Sequence, residues 1–200
     1  MKARLVVNLH SRAGFDILLL YAITLESEQN MFECFYPDEY YASAYEINYE
    51  EFYQKGYRGI IFDIDNTLVP HGAPADERSI ALFKRLKEIG FDALLLSNNK
   101  EARVAMFNEP IKVHTIHKAN KPSPVRYREA MKIMGTDEQT TLFVGDQLFT
   151  DVWGAKRAGI RSLLVKPINP KEEIQIVLKR KLERIVLYFY LQKQKRGDKM

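Results

Sequence analysis

One cysteine in 200 residues, Cys34, excludes an internal disulfide, and no CxxC or Cys/His spacing is present for a structural zinc. No run reaches the ~18–20 apolar residues that span a bilayer. FDILLLYAITL (15–25) is interrupted by Asp16, and IVLYFYL (185–191) is too short. Glycine (10) and proline (8) are too few, and hydrophobic residues at 46% too many, for a collagen-like, low-complexity or disordered chain. The composition is that of one globular domain with a real core, and the scarcity of cysteine fits a reducing, cytoplasmic setting.

The net charge of +4 is unevenly spread. Residues 31–56 carry six acids and one base, whereas residues 171–200 carry nine bases and four acids. A basic C-terminus can meet an anionic membrane or nucleic acid, or be a solvated helix face. It lacks the glycine and aromatic interleaving of RNA modules, so no nucleic-acid partner is expected.

The chain divides into four stretches. Residues 1–30 match a secretory signal poorly and read as an N-terminal extension, with Met31 as the expected biological start. Residues 31–57 have a Pro-Asp start, a Tyr-rich periodic stretch and a stop at Gly56, and predict an acidic helical lead-in. Residues 58–170 alternate apolar runs with amphipathic stretches, the pattern of a parallel sheet built from βα units. Strands are predicted at 59–64, 92–97, 112–116, 141–145 and 161–166, with helices at 76–89, 101–107, 123–134 and 148–158. Ser123 and Pro124 read as N-cap and N1 of the third helix, and Gly90, Gly135 and Gly159 as helix stops. Residues 171–200 predict a basic amphipathic helix over 171–195 with the stripe Ile174, Val177, Leu178, Leu182, Ile185, Val186 and Phe189.

Open parallel sheets bind ligands beyond the carboxyl ends of their strands. The first strand ends in FDIDNTLV (62–69), with Asp63 and Asp65 on the same side, where they repel unless a cation or proton intervenes; the alternative is a loop using Asp and Asn in turns. The second ends in Ser97 and Asn98, which suit an anion but are also common turn residues. The fourth ends in Gly145, which permits a sharp turn, followed by Asp146 and, five residues on, Asp151, which can equally be a helix-start acid. Lys121 precedes a proline-fixed helix start in KANKPSP (118–124); a lone lysine is usually surface. His71 reads as a solvated loop residue, His114 and His117 lack partners for a metal site, and Cys34 and Trp153 read as packing residues.

The ordered set DxDxT, SN, KP and GDxxxxD is more specific than any member. It resembles the haloacid-dehalogenase-like (HAD-like) superfamily of phosphohydrolases over residues 58–166. FYPDEYYASAYEI, DIDNTLV, KANKP and KRKLERIVL are similar to its subclass IIIA, which includes YqeG-type and phosphatidylglycerophosphate-phosphatase-like proteins. The resemblance implies a three-layer α/β Rossmann-like fold with a mainly parallel five-stranded sheet and no large cap domain. It further implies Asp63 as nucleophile and metal ligand, Asp65 as acid/base that also offers its backbone carbonyl to the metal, and Asp146 as the other metal carboxylate. Asp151 would support the metal's water shell, while Ser97, Asn98 and Lys121 would bind the phosphoryl group and Thr67 would support the loop.

The chemistry agrees, because an anionic nucleophile attacks a phosphate ester only when a cation screens both, a task that suits Mg²⁺, although Mn²⁺ accepts the same oxygen donors. The expected activity is a Mg²⁺-dependent phosphomonoesterase working through an aspartyl-phosphate. Its expected substrate is phosphatidylglycerophosphate or a similar lipid phosphate, with peripheral contact at the inner membrane face through the C-terminal helix. A phosphatase of small metabolites and a non-catalytic interaction module are the alternatives.

Overall fold

The computed structural model describes residues 32–169 and 174–197. The readings of residues 1–30 and of the helix before Ile174 lie outside them. Six strands form one wholly parallel sheet: β1 (Glu39–Tyr41), β2 (Gly59–Phe62), β3 (Asp92–Leu96), β4 (His114–Ile116), β5 (Thr141–Gly145) and β6 (Arg161–Val165), in the order β1-β6-β5-β2-β3-β4. Among the described residues the α-helices are α1 (Tyr49–Gln54), α2 (Glu77–Ile89), α3 (Glu101–Asn108), α4 (Val125–Met134), α5 (Trp153–Arg157) and α6 (Ile174–Gly197). Because β5, β2 and β3 are adjacent, their carboxyl ends, with Asp146, Asp63 and Ser97, meet at one rim.

Strand alternation builds two cores. Ile60 and Phe62 of β2 pack with Leu95, Leu142 and Val144 under α1, α2 and α3, where Phe52, Phe83, Leu86 and Phe107 are buried. Ile61, Leu94, Leu96 and Phe143 face the opposite way, against Tyr127, Ala130 and Met131 of α4 and Ala155 of α5. This is the expected three-layer arrangement. No cap interrupts it: the β2–α2 connection spans 63–76 and the β4–α4 connection 117–124.

The sheet has six strands where five are predicted, and the sixth lies in the stretch read as a helical lead-in. Glu39–Tyr41 pairs with Leu163–Val165 at the sheet edge. Asp38 secures it by accepting from the backbone N–H and the hydroxyl of Ser162, both at 2.8 Å. Tyrosines spaced for a helix also suit a half-buried edge strand, and the long-range Asp38–Ser162 lock decides between them. Helical structure there is confined to short turns and α1, which ends at Gln54 with Lys55 as its C-cap, just before Gly56 at φ 98°.

Helix details also differ. Pro124, rather than Ser123, occupies the N-cap of α4 and no side chain caps it. The predicted helix 148–158 opens as a π-helical turn over Leu148–Val152 before α5 begins. On α6 the buried face runs through Glu183, Val186 and Tyr190, whereas Leu182, placed in the predicted apolar stripe, is 52% exposed. Val186 and Tyr190 pack on Tyr36, Leu148, Val152 and Leu164. Cys34 is exposed rather than packed, and Trp153 meets Phe35 edge-on with ring centroids 5.2 Å apart.

Candidate active site

Asp63 follows β2 directly and is still tied to the sheet, its N–H donating to the carbonyl of Val144 at 2.9 Å. Asn66 then turns the chain back with φ 65°, a left-handed conformation that Asn tolerates, and its N–H donates to the Val69 carbonyl at 2.7 Å. That tight loop keeps Asp63, Asp65 and Thr67, all under 9% exposed, at the strand ends.

Lys121 reaches the same point from the far side of β3. Its Nζ lies 2.6 Å from Asp63 Oδ1 and 2.7 Å from Asp151 Oδ1. Its backbone is held by Asn98, whose Oδ1 accepts from Lys121 N at 2.7 Å and whose Nδ2 donates to Lys121 O at 3.3 Å. The amide of Asn98 therefore positions the lysine. Ser97 Oγ accepts from Asn99 N at 3.2 Å, leaving its O–H as the donor for an incoming oxyanion.

Asp151 is engaged by both oxygens: Oδ1 by Lys121, and Oδ2 by the N–H groups of Asp146 and Gln147 at 3.2 and 3.0 Å. Gly145 serves this contact, and not the sharp turn read from the sequence. Its φ is not positive, but a Cβ there would lie 2.6–2.7 Å from the Asp151 side chain. Thr67 Oγ1 stands 3.4 Å from both Asp63 Oδ2 and Asp146 Oδ1, too long for a strong O–H···O bond to either.

Asp63, Asp146 and Asp151 each offer an oxygen within 4.8 Å of the others, and all three are buried. Lys121 is shared by two of them, Asp63 and Asp151. The oxygens of Asp63 and Asp146 are hard donors close together in a buried site, which fits a divalent cation that favours oxygen ligands. The Asp63 carboxyl is pushed up to about 6: burial raises it most, Lys121 pulls it back and Asp151 adds to the rise. Burial alone would lower Lys121, but Asp151 and Asp63 outweigh it and raise its pKa, so the ammonium stays charged.

Asp65 belongs to a separate cluster. Its Oδ1 accepts from Gly72 N at 2.7 Å and from Arg103 Nη2 at 2.8 Å, and its Oδ2 accepts from Asn99 Nδ2 at 2.6 Å. His71 Nδ1 lies 3.9 Å from Oδ1. Arg103 and Asn99 are absent from the sequence reading. Their signal was available: Asn99 extends the Ser-Asn pair, and Arg103, in the first turn of α3, has a side chain that leans toward that helix's N-terminus and hence toward the rim.

Asp63, Asp65, Ser97, Asn98, Asn99, Lys121 and His71 line an open pocket of about 180 Å³. The volume suits a phosphoryl group and little more. Gln147 and Thr150 also line it.

The chain is similar to known proteins. The HAD-hydrolase-like family model matches residues 118–168. The "Probable phosphatase YqeG" of Bacillus subtilis (strain 168) is 36% identical over 154 residues, covering 76% of this chain and 90% of that protein. The "Phosphatidylglycerophosphate phosphatase 1, chloroplastic/mitochondrial" of Arabidopsis thaliana is 29% identical over 165 residues, covering 74% of this chain and 45% of that protein. Among solved structures, NagD from E. coli K-12 aligns with a TM-score of 0.48 at 14% identity, over 60% of this chain and 91% of that one. The parallel sheet, the acids at its rim and the identity to YqeG over nearly that protein's whole length converge: this chain belongs to the HAD-like hydrolases, among the phosphatases of that family.

Proposed function

We propose that this phosphatase hydrolyses phosphate monoesters with Asp63 as nucleophile and Mg²⁺ as cofactor, and that its substrate is phosphatidylglycerophosphate or a similar lipid phosphate. The observation that carries the reading is the buried contact of Asp63 with Lys121, with a second carboxylate, Asp146, facing the other Asp63 oxygen across Thr67. A divalent ion held by Asp63 and Asp146, with the Asp65 carbonyl as a further ligand, would supply charge screening for attack on the phosphoryl group.

Lys121 and the Ser97 hydroxyl meet the equatorial oxygens, where phosphoryl transfer concentrates its charge. An Asp63 oxygen bonds to phosphorus as the ester P–O bond breaks, and Asp65 gives its proton to the departing alkoxide. Water then attacks the aspartyl-phosphate, Asp65 takes its proton, and inorganic phosphate and the Asp63 carboxylate are regenerated. Asp151 holds Lys121 and the 146–147 backbone, while Asn98 holds the lysine's main chain.

Three observations support a lipid phosphate. The pocket is open and uncapped, so the bulk of a substrate remains outside it. The outward face of α6 combines Lys181, Arg184 and Lys195 with Tyr188, which is 45% exposed. The plant relative is named for phosphatidylglycerophosphate. Among the described residues no helix is long and apolar enough to cross a membrane, so the contact proposed is peripheral. Phosphate release should be measured with and without Mg²⁺ on phosphatidylglycerophosphate in vesicles and on a panel of small esters. Faster turnover of the lipid supports the reading; faster turnover of a sugar or polyol phosphate replaces the substrate. No release from any ester overturns catalysis by Asp63.

A further inference from the structure

Every residue that lines the phosphoryl pocket is polar, so an apolar alcohol entering it would desolvate hydrogen-bonding groups and replace nothing. Within that wall the side chain of Asn99 is fixed by its donor end. Nδ2 donates to Asp65 Oδ2 at 2.6 Å and to Ser97 Oγ at 3.3 Å. A reversed amide would set its oxygen against the Asp65 carboxylate, so the orientation has one solution. The backbone of Asn99 is committed as well, its N–H donating to Ser97 Oγ at 3.2 Å and its carbonyl accepting from Lys118 N at 2.9 Å. Oδ1 alone accepts no hydrogen bond among the described residues, and it belongs to a residue of the pocket wall. At the other Asp65 oxygen, His71 Nδ1 lies 3.9 Å from Oδ1, beyond hydrogen-bonding distance, and the imidazole is 59% exposed.

We propose that Asn99 and His71 are specificity-determining residues that read a free hydroxyl on the carbon next to the esterified one, so that the substrate is the phosphomonoester of a polyol. This rests on the placement of Asp65 beside the departing oxygen given above. Asn99 and His71 flank Asp65, which sets them one side chain away from the ester oxygen, on the leaving-group side. Asn99 Oδ1 is an acceptor, and an imidazole carries an N–H in either of its charge states. One acceptor and one donor match an alcohol, whose O–H donates to Asn99 while its oxygen accepts from His71. An anion in the same place would meet only the imidazole, and an ammonium only the amide oxygen. The headgroup of a glycerol-based lipid and a free polyol phosphate share this chemistry, whereas a phosphate carried directly on diacylglycerol lacks the hydroxyl.

The test is steady-state kcat/KM with Mg²⁺ on two pairs of esters, each pair differing only in that hydroxyl. The free pair is glycerol 3-phosphate and 3-hydroxypropyl phosphate. The lipid pair, in vesicles, is phosphatidylglycerophosphate and its analogue with a 1,3-propanediol headgroup. In one or both pairs the hydroxylated member should be preferred about tenfold, as two hydrogen bonds of ordinary net strength supply. The pair that shows the preference with the higher kcat/KM names the source of the polyol, lipid or soluble. His71→Ala should lower the ratio about threefold, the share of one such bond, and His71→Gln, which keeps an N–H, should recover part of it. Asn99→Ala also releases Asp65 and should slow both members, the hydroxylated one about threefold more. If Asn99→Ala fails to fold, the His71 variants carry the test, since that side chain is largely in solvent. A wild-type ratio near one, or losses shared equally by both members in every variant, overturns the proposal and leaves the phosphatase standing. No release from any of the four esters overturns the catalytic reading and this inference with it.

Discussion

Asp151 packs against the α-carbon of Gly145 so closely that a Cβ there would fall 2.6 Å from Asp151 Oδ2. The neighbour cannot yield cheaply, because that oxygen accepts two backbone N–H bonds and its twin holds Lys121. Gly145→Ala should therefore cost about 1–3 kcal/mol of stability, the usual range for overpacking. Displacing Lys121 by a fraction of an ångström should also lower kcat/KM by up to ~100-fold. Thermal unfolding and steady-state kinetics on one ester check both effects, and a fully active Gly145→Ala would show that Asp151 has room to move.

Lys121 is the ammonium shared by Asp63 and Asp151, with a side chain only 3% exposed. Lys121→Met leaves buried carboxylates without their cation, a change that typically costs about 3–5 kcal/mol. Because a divalent ion on the other Asp63 oxygen would bring compensating charge to the same carboxylate, Mg²⁺ should raise the melting temperature of Lys121→Met more than that of the wild type. Activity should not return with stability if Lys121 also meets the transferring phosphoryl group, as proposed above. Equal Mg²⁺ shifts in both proteins would contradict the shared charge balance.

The pH dependence of the metal-free protein has a definite sign. Asp63 is raised from 3.8 to about 6, chiefly by burial. Its contribution to stability is therefore fully present below pH 3.8 and lost as pH rises through about 6. Asp63→Asn removes that loss. Without divalent ions, wild type and Asp63→Asn should coincide in melting temperature below about pH 3.8, separate as pH rises from there to about 6, and keep the full gap above it, with the variant the more stable. Added Mg²⁺ should close the gap from the wild-type side. The variant should have no measurable phosphatase activity at any pH, and substantial turnover by it would remove Asp63 as the nucleophile.

What could be read from the chain and what could not separates along a physical line. Strand ends in a parallel sheet bring distant motifs together by topology, so Asp63, Ser97, Lys121, Asp146 and Asp151 were legible from order and spacing. Asp63, Lys121 and Asp151 meet directly, Asp151 also accepts from the Asp146 N–H, and Ser97 is tied through Asn99 to Asp65. Roles set by side-chain direction were not. Asn98 turns its amide to the Lys121 backbone, and Arg103 is recruited from α3 to Asp65, contacts between residues 23 and 38 positions apart. The edge strand β1 escaped for a related reason: a three-residue strand carries no period of its own, and its pairing depends on the Asp38–Ser162 bonds across 124 positions.

Glu183 joins the C-terminal helix to the active-site loop, accepting from Phe149 N at 3.2 Å while only 5% exposed. The inner face of α6 thus supports the turn that carries Asp151, which leaves the outer face to meet a surface. The two faces should separate experimentally. Tyr190→Ala, on the inner face, should destabilise the fold by about 2–4 kcal/mol, as for loss of a large buried side chain. Lys181→Glu combined with Arg184→Glu, on the outer face, should leave the melting temperature and turnover of a soluble ester unchanged. The same pair should abolish sedimentation with anionic vesicles at ~0.1 M salt, because each basic residue near such a surface is worth about 1 kcal/mol and two charges are reversed. Vesicle binding that persists in the double variant, or that is insensitive to salt, would move membrane contact away from α6.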